Sequence, residues 1–272
     1  MAKQRHFFMC PPAYYSSRYL INDWSRRHAK RGVNAARAMS EWVHLYGAYL
    51  SLGAQVEIVE PRENCPEMTF LGDSIFLYGR HAVVSNFLHR ARQKEAVALE
   101  SWAVGRGFAI SHMPKDVYFE GNAETIALEE KLLMGCGVRS SKAAATHLQR
   151  ILDAEVVPLE LRPPFVHLDQ ALLPLGRGVL AYFPLAFTED SAAAVRGLSQ
   201  SLIEVNPEEA TALACNSMVV EGTVIMRADF RRLRTKFRSL GFRTLVTPLS
   251  EALKVGGAVK CHTLEHYSCD DL

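Results

Sequence analysis

A pattern of one helix, one short strand and one proline recurs along this chain. In the first copy, apolar residues at spacings of three and four predict a helix over residues 34–52, and Gly53 provides a stop. The alternating segment 56–60 then predicts a strand, which ends at Pro61. Four later copies keep this order, with helices predicted over 92–104, 141–152, 191–198 and 230–240 and strands over 108–113, 155–157, 202–205 and 242–246.

The five prolines that end these strands are separated by a nearly regular interval. They stand at positions 61, 114, 158, 207 and 248, about 47 residues apart, a period typical of arrays of supersecondary units. Short apolar runs follow them, so each unit carries several strands and one helix. Five units in one short chain favour a closed ring, and the absence of a linker predicts a single domain over residues 1–272.

A ring of repeats also predicts where a site would form. Equivalent positions of the units converge near the axis of such a ring. Four residues capable of chemistry follow the proline of their unit by 12, 6, 9 and 13 residues: Asp73, Glu120, His167 and Cys261. We therefore expect a cysteine, a histidine and carboxylates from different units to meet in one central pocket.

Composition excludes several classes of protein. With 49% hydrophobic and 22% charged residues, the chain of 272 residues is an ordinary globular sequence. A net charge of +2 gives no reason to expect nucleic acid or an anionic membrane as a partner. Six cysteines are too sparse for a disulfide scaffold. No secretory signal or membrane-spanning run is recognisable, so we predict a cytoplasmic protein.

The segment around Cys261 is the first candidate for catalysis. Gly256 and Gly257 allow a close approach of the backbone, and a short apolar run then leads to the cysteine. Lys260 and His262 flank it, and neighbouring cations lower the pKa of a thiol, but the sequence leaves open whether His262 tunes the thiol or points outward. A buried structural cysteine is the alternative. The spacing of Cys261, His262, His266 and Cys269 matches no standard zinc pattern, so no metal is expected.

Six segments in order resemble the guanidine-modifying pentein superfamily, which comprises arginine deiminases, dimethylarginine dimethylaminohydrolases, arginine dihydrolases and amidinotransferases. They are residues 9–12 (MCPP), 66–73 (PEMTFLGD), 118–122 (YFEGN), 165–169 (FVHLD), 214–216 (ACN) and 256–261 (GGAVKC). The resemblance extends over residues 7–265. It implies an α/β fold, a five-bladed propeller, and a hydrolase without metal or other cofactor.

The resemblance implies catalytic roles for three residues. Cys261 matches the nucleophile that attacks the central carbon of a guanidinium. His167 matches the general acid and base, which protonates the departing amine and then activates water against the covalent thiouronium intermediate. Glu120 matches the carboxylate that orients the histidine or holds the substrate cation. Each of these residues taken alone also has a structural interpretation.

Further residues match substrate contacts of the superfamily. Asp73 and Asp169 match carboxylates that hold the guanidinium nitrogens. Phe70 matches an aromatic wall for the flat cation, and Arg139 an arginine that binds the substrate carboxylate. Asn86 stands where many relatives have a second carboxylate-binding arginine, which leads to the hypothesis that the tail of the substrate is modified or lacks a carboxylate.

Asp73 bears on the reaction type. Dihydrolases have an asparagine at this place and release two ammonia molecules, whereas an aspartate resembles the enzymes that cleave one C–N bond. The leading prediction is a hydrolase of a guanidino or amidino substrate, of deiminase or dimethylaminohydrolase type. An arginine dihydrolase, an amidinotransferase and a non-catalytic binding protein on the same fold are the alternatives. The sequence leaves the oligomeric state open, with a homodimer as one option.

Overall fold

A computed structural model describes residues 6–267, and Cys269 lies outside this range. The structure is mixed α/β. Its strands are β1 His6–Met9, β2 Gln55–Ile58, β3 Ile75–Tyr78, β4 His81–Val84, β5 Ala109–His112, β6 Thr125–Leu128, β7 Lys131–Cys136, β8 Glu155–Glu160, β9 Leu172–Gly176, β10 Val179–Tyr182, β11 Ser201–Glu204, β12 Met218–Val220, β13 Thr223–Met226, β14 Arg243–Val246 and β15 Leu264–Tyr267. Its α-helices are α1 Asp23–His28, α2 Ala35–Ser51, α3 Gln93–Gly105, α4 Gly121–Glu124, α5 Ala143–Leu152, α6 Glu189–Gly197, α7 Pro207–Thr211, α8 Arg231–Ser239 and α9 Ser250–Leu253.

The five predicted helices are α2, α3, α5, α6 and α8, and each lies within two residues of its predicted bounds. Side-chain caps fix two of their starts, because Asn34 accepts a hydrogen bond from the Arg37 backbone N–H and Thr188 accepts one from that of Ser191. The predicted strands follow at β2, β5, β8, β11 and β14. Strand β8 runs three residues beyond the predicted end at 157, through Pro158.

Each of the five helices crosses between two parallel strands. Strands β3 and β4 form an antiparallel hairpin, α3 follows, and β5 returns parallel to β4. The sets β6–β7–β8, β9–β10–β11 and β12–β13–β14 have the same pairing. A parallel pair needs a long crossover connection, which an amphipathic helix provides while covering the apolar side of its sheet.

The strands form one six-stranded sheet, in the order β2-β1-β15-β3-β4-β5, and three three-stranded sheets. Strand β1, near the start of the chain, pairs antiparallel with β15, near its end. Strand β15 also pairs parallel with β3, which joins two three-stranded sets into the larger sheet. The ends of the described chain therefore meet in one sheet.

Apolar side chains between sheets and helices form four buried clusters. On α5, for example, Ala144, Ala145, Leu148 and Leu152 are buried on one face, the stripe that a period of 3.6 residues places toward a core. Within residues 6–267, no helix has the length and apolar character required to cross a membrane.

The segments that precede the first strand of each set carry the polar residues of interest. Asp73 precedes β3, Glu120 precedes β6 and His167 precedes β9. Asn216 precedes β12 and Cys261 precedes β15. Each of these residues therefore occupies the same place in the order of elements of its set.

Candidate active site

The polar segments that precede the strands meet at a small cavity. Cys261, His167, Asp73, Phe70 and Arg139 line it. All five are at least nine-tenths buried. Of the residues predicted from the sequence, Glu120 and Asp169 stand directly behind this lining, in contact with His167 and Cys261 respectively.

A buried histidine–carboxylate pair forms one wall. His167 Nε2 lies 2.7 Å from Glu120 Oε2, and Arg139 Nη1 lies 3.2 Å from the same oxygen. Burial alone would lower the pKa of His167, but the charges of Asp73 and Glu120 raise it to about 9. Burial would raise the pKa of Glu120, but Arg139 and the hydrogen bond from His167 hold it well below its usual range. The pair is therefore an imidazolium beside a carboxylate at neutral pH, which suits a general acid.

The sulfur of Cys261 lies between an acid and an amide. Its Sγ is 3.5 Å from Asp169 Oδ2 and 3.1 Å from Asn216 Nδ2. Burial and the charges of Asp169 and Asp73 raise the pKa of the thiol well above its usual range. Burial likewise raises the pKa of Asp169 to about 7. Cys261 is therefore a thiol at neutral pH, and a cation placed between the acids and the sulfur would favour the thiolate.

The flanking Lys260 and His262 do not give the Cys261 thiol a lowered pKa. Lys260 Nζ is 2.8 Å from Glu265 Oε2 and 3.2 Å from the Tyr267 hydroxyl, so Lys260 forms an ion pair with Glu265. Burial lowers the pKa of His262 to about 4, which leaves the ring neutral. Its Nδ1 lies 3.0 Å from the hydroxyl of Thr69. Residues adjacent in sequence point to different sides of this turn, which is why adjacency was misleading.

Two glycines shape the turn that presents the nucleophile. Gly256 has φ +88°, in the left-handed region that favours glycine. A Cβ on Gly257 would stand 2.5 Å from Cε1 of Phe70, closer than atoms pack. The close approach predicted from the sequence is thus between this turn and the Phe70 ring, which the contact holds against the cavity.

Arg92 is a cavity residue that the sequence interpretation missed. Its Nη1 lies 2.5 Å from Asp73 Oδ2, its Nη2 lies 2.7 Å from Glu95 Oε2, and its Nε lies 3.4 Å from Glu67 Oε2. Burial raises the pKa of Glu67 to about 8, so this acid is largely protonated at neutral pH. In the sequence, Arg92 is one of several arginines near a helix start, and no local signal separates it from a surface residue.

The structure does not bring Asn86 to the cavity. Its Nδ2 donates to the backbone carbonyls of Val117, Pro114 and Lys115, at 2.9, 3.3 and 3.3 Å. The predicted substrate contact of Asn86 is therefore corrected to a role in joining two loops. Arg92, six residues later, also lines the cavity, but its guanidinium is paired with Asp73, Glu95 and Glu67.

Among residues 6–267, no group of three or more histidine, cysteine or acidic side chains is arranged to hold a metal ion. Cys269, which completed the spacing considered above, lies outside that range. The cavity instead combines a buried sulfur, an imidazolium donor and carboxylates. These groups can attack, protonate and hold a planar cation such as a guanidinium.

Comparison with known proteins finds relatives over nearly the whole of this chain. No protein-family model matches the chain. The N(G),N(G)-dimethylarginine dimethylaminohydrolase of Mycobacterium tuberculosis is 32% identical to it, over 97% of this chain and 86% of that protein. The bifunctional arginine dihydrolase/ornithine cyclodeaminase AgrE of Nostoc sp. is 35% identical over 97% of this chain. Because the match covers 38% of that protein, the chain spans under half the length of this relative.

A solved structure is similar to this chain over nearly its whole length. The crystal structure of the N-terminal domain of ArgZ bound to product, an arginine dihydrolase from the ornithine–ammonia cycle in cyanobacteria, superposes with a TM-score of 0.93. It is 33% identical, and the match covers 98% of both chains. The family predicted from the sequence is confirmed by these likenesses.

Proposed function

The chain belongs to the guanidine-modifying pentein superfamily, with the arginine dihydrolases and dimethylarginine dimethylaminohydrolases, and from this premise we propose that it is a cysteine-dependent hydrolase of a guanidino C–N bond. The single observation that supports this most strongly is the cavity shared by the Cys261 sulfur and the His167–Glu120 pair. A protein that only binds guanidinium has no need of a buried thiol beside an imidazolium.

The proposed reaction has two halves. A guanidinium enters between Asp73, Asp169 and the sulfur, and its charge favours release of the Cys261 proton to solvent, which leaves the thiolate. The sulfur attacks the central carbon, and the C–N bond to the departing amine breaks as His167 donates its proton to that nitrogen. The neutral imidazole then takes a proton from water, whose oxygen attacks the thiouronium carbon. Breakage of the C–S bond returns the cysteine and leaves a ureido product.

We propose that Asp73 and Asp169 hold the two sides of the guanidinium. Asp73 Oδ1 and Asp169 Oδ1 are buried and have no hydrogen-bond partner within the described residues, so each has an acceptor to offer. Phe70 would pack against the flat face of the cation. These oxygens account for the preference for a planar, multiply donating cation over a simple ammonium.

The proposed substrate keeps its carboxylate. Arg139 lines the cavity, and its guanidinium can bind a carboxylate through paired donors. A substrate with a modified tail is the alternative that the substrate panel tests. We expect arginine or a methylated arginine to exceed agmatine, which lacks the carboxylate, by about tenfold or more in kcat/KM, since one charge-assisted contact contributes roughly 1.5–3 kcal/mol.

We further propose a single cleavage, of deiminase or dimethylaminohydrolase type. Asp73 stands where dihydrolases have an asparagine, and this residue separates the proposal from the arginine dihydrolase that the likeness to AgrE and ArgZ favours. A deiminase would release one ammonia per ureido product, and a dimethylaminohydrolase one dimethylamine. A dihydrolase would release two ammonia molecules and carbon dioxide for each amine product.

The proposed architecture is a single domain in which five three-stranded blades close into a ring. Support comes from the recurrence of the same strand pairing in the sets from β3 to β14 and in the set of β2, β1 and β15. The pairing of β1 with β15 joins the two ends of the described chain. In this arrangement the segments before the first strands face the axis.

The testing experiment is a substrate panel assayed for both products. Arginine, monomethylarginine, asymmetric dimethylarginine, agmatine and an acylated arginine are incubated with the protein, and ammonia, methylamines, ureido and amine products are counted by mass spectrometry. The proposal predicts one amine released per ureido product. Two ammonia per amine product would establish the dihydrolase, and turnover only with an added amine acceptor would establish an amidinotransferase.

A further inference from the structure

Asn216 makes a set of contacts that all converge on the nucleophile turn. Its Oδ1 accepts a hydrogen bond from the Cys261 backbone N–H at 3.2 Å, and its Nδ2 donates to Cys261 Sγ at 3.1 Å. Its backbone carbonyl accepts from the N–H groups of Val259 and Lys260, at 3.1 and 3.4 Å. Asn216 is fully buried, so its side chain has little freedom to leave this arrangement.

The orientation of the amide follows from chemistry. A backbone N–H can only donate, so the amide oxygen must face the Cys261 N–H. The amide nitrogen is then directed to the sulfur, which accepts. A thiol can adapt to either neighbour, because it donates through S–H and accepts through sulfur. A thiolate can only accept, and is therefore stabilised by the Asn216 N–H.

The repeat supports a functional place for this residue. Four of the five units contribute Asp73, Glu120, His167 and Cys261 from the segment before their first strand. The remaining unit contributes Asn216, which stands nine residues after Pro207 and two before β12. Asn216 thus completes the set of residues that the units supply to the centre.

Resting on the proposed function, we propose that Asn216 is a positioning residue that fixes the Cys261 sulfur and stabilises its thiolate during attack. The amide N–H favours the thiolate, whereas the charges of Asp169 and Asp73 raise the pKa of the thiol, so the amide offsets part of their effect. The backbone of Ala258 also hydrogen-bonds the sulfur and favours the charged form. The other ionisable groups around the sulfur belong to the same cavity or lie close behind it: Asp169, Asp73, His167, Glu67, Arg92, Arg139 and Tyr15.

The Asn216 N–H should stabilise the thiolate both at the start and at the end of the reaction. Attack consumes the charge on sulfur when the C–S bond forms, and departure of the ureido product restores it when that bond breaks. An N–H donor at the sulfur therefore favours both the attacking thiolate and the thiolate leaving group. The substrate itself does not touch the amide in this account, so kcat should change more than KM.

The test is the pH dependence of alkylation of Cys261 by iodoacetamide, followed by peptide mass spectrometry. The probe reports thiolate without turnover. In Asn216→Ala, which removes the donor, the midpoint should rise by about one pH unit, a tenfold change in thiolate fraction. In Asn216→Asp, which keeps an oxygen for the Cys261 N–H but replaces the donor with an acceptor, the midpoint should rise further. Ser217→Ala, whose hydroxyl donates to the Ala214 carbonyl, is the matched control and should leave the midpoint unchanged.

Kinetics complete the test. Both Asn216 variants should lose about tenfold or more in kcat with less than about threefold change in KM. Alkylation midpoints within about 0.2 pH units of wild type in the folded variants would overturn the proposal. Should Asn216→Ala fail to fold, the nearly isosteric Asn216→Asp decides alone. If the Asn216 variants shift the alkylation midpoint but the wild-type protein hydrolyses no guanidino compound, the effect of Asn216 on the sulfur is kept and the proposed function is rejected.

Discussion

Replacing Glu120 by glutamine tests the histidine–carboxylate pair most sharply. The variant keeps the shape of the side chain but removes the charge 2.7 Å from His167 Nε2. Glu120 contributes both a hydrogen bond and a charge to the pKa of His167, while burial opposes them. Without it, we expect the pKa to fall from about 9 by about 2 units or more, equivalent to about 3 kcal/mol.

That shift has a defined kinetic consequence. At pH 8, a pKa of about 9 leaves about nine-tenths of the imidazole protonated, whereas a pKa of about 7 leaves about one-tenth. Glu120→Gln should therefore lose about tenfold in kcat at pH 8 from this cause, and further from lost orientation of the ring. The deficit should shrink toward pH 6, where both proteins carry the imidazolium.

The assay is an NMR titration of the histidine ring protons, with the His167 signal assigned from a His167→Asn spectrum. Glu155→Gln is the control, because this exposed acid pairs with Lys131 on the surface. It should move the His167 titration far less. An unchanged His167 titration in Glu120→Gln would refute the reasoning.

The same pair links stability to pH. A histidine pKa raised on folding contributes stability that is complete below about pH 6.5 and is lost as pH rises through about 9. Urea unfolding of wild type and Glu120→Gln across this range should show that pH-dependent part of the free energy of unfolding in wild type alone.

Three further predictions concern packing and the buried charges. Gly257→Ala should displace the Phe70 ring and reduce kcat/KM by about tenfold or more, because each 1.4 kcal/mol of lost transition-state stabilisation is tenfold in rate; Gly47→Ala, in open space on α2, should leave activity unchanged and add about 0.5–1 kcal/mol of stability. Arg92→Met should lower the free energy of unfolding by about 3–5 kcal/mol in urea titrations. Leu148→Ala, at a fully buried position on α5, should cost about 2–5 kcal/mol by the same measurement.

The sequence predicted the crossover helices well because their information is local. In α2 and α3 the apolar stripe, the stop and the next alternating strand all lie within about 25 residues. The hairpin strands were harder to predict. Strand β7 ends in Gly-Cys and β9 contains Pro174, so neither has the clean alternation that marks a strand.

The site residues also divide into those that the sequence pattern marks and those that it does not. His167 and Cys261 stood out because reactive residue types recur at equivalent places in a repeat. Arg92 did not, and Asn216 entered only within the segment 214–216 with no role assigned, because the importance of both comes from partners that are distant in sequence, Asp73 for Arg92 and Cys261 for Asn216. The direction of the Lys260 side chain was not predictable either, because it depends on the turn and on the ion pair with Glu265, which spacing in the sequence does not reveal.

The central claim is that the sulfur of residue 261 forms a covalent bond to the substrate carbon. The most direct measurement is intact-protein and peptide mass spectrometry of wild type and Cys261→Ser, quenched in acid during turnover of a guanidino substrate. A thiouronium adduct on the peptide that contains Cys261, absent from the inactive Cys261→Ser, is the result predicted. Turnover by Cys261→Ser at a rate near that of wild type, with no adduct on either protein, would contradict it.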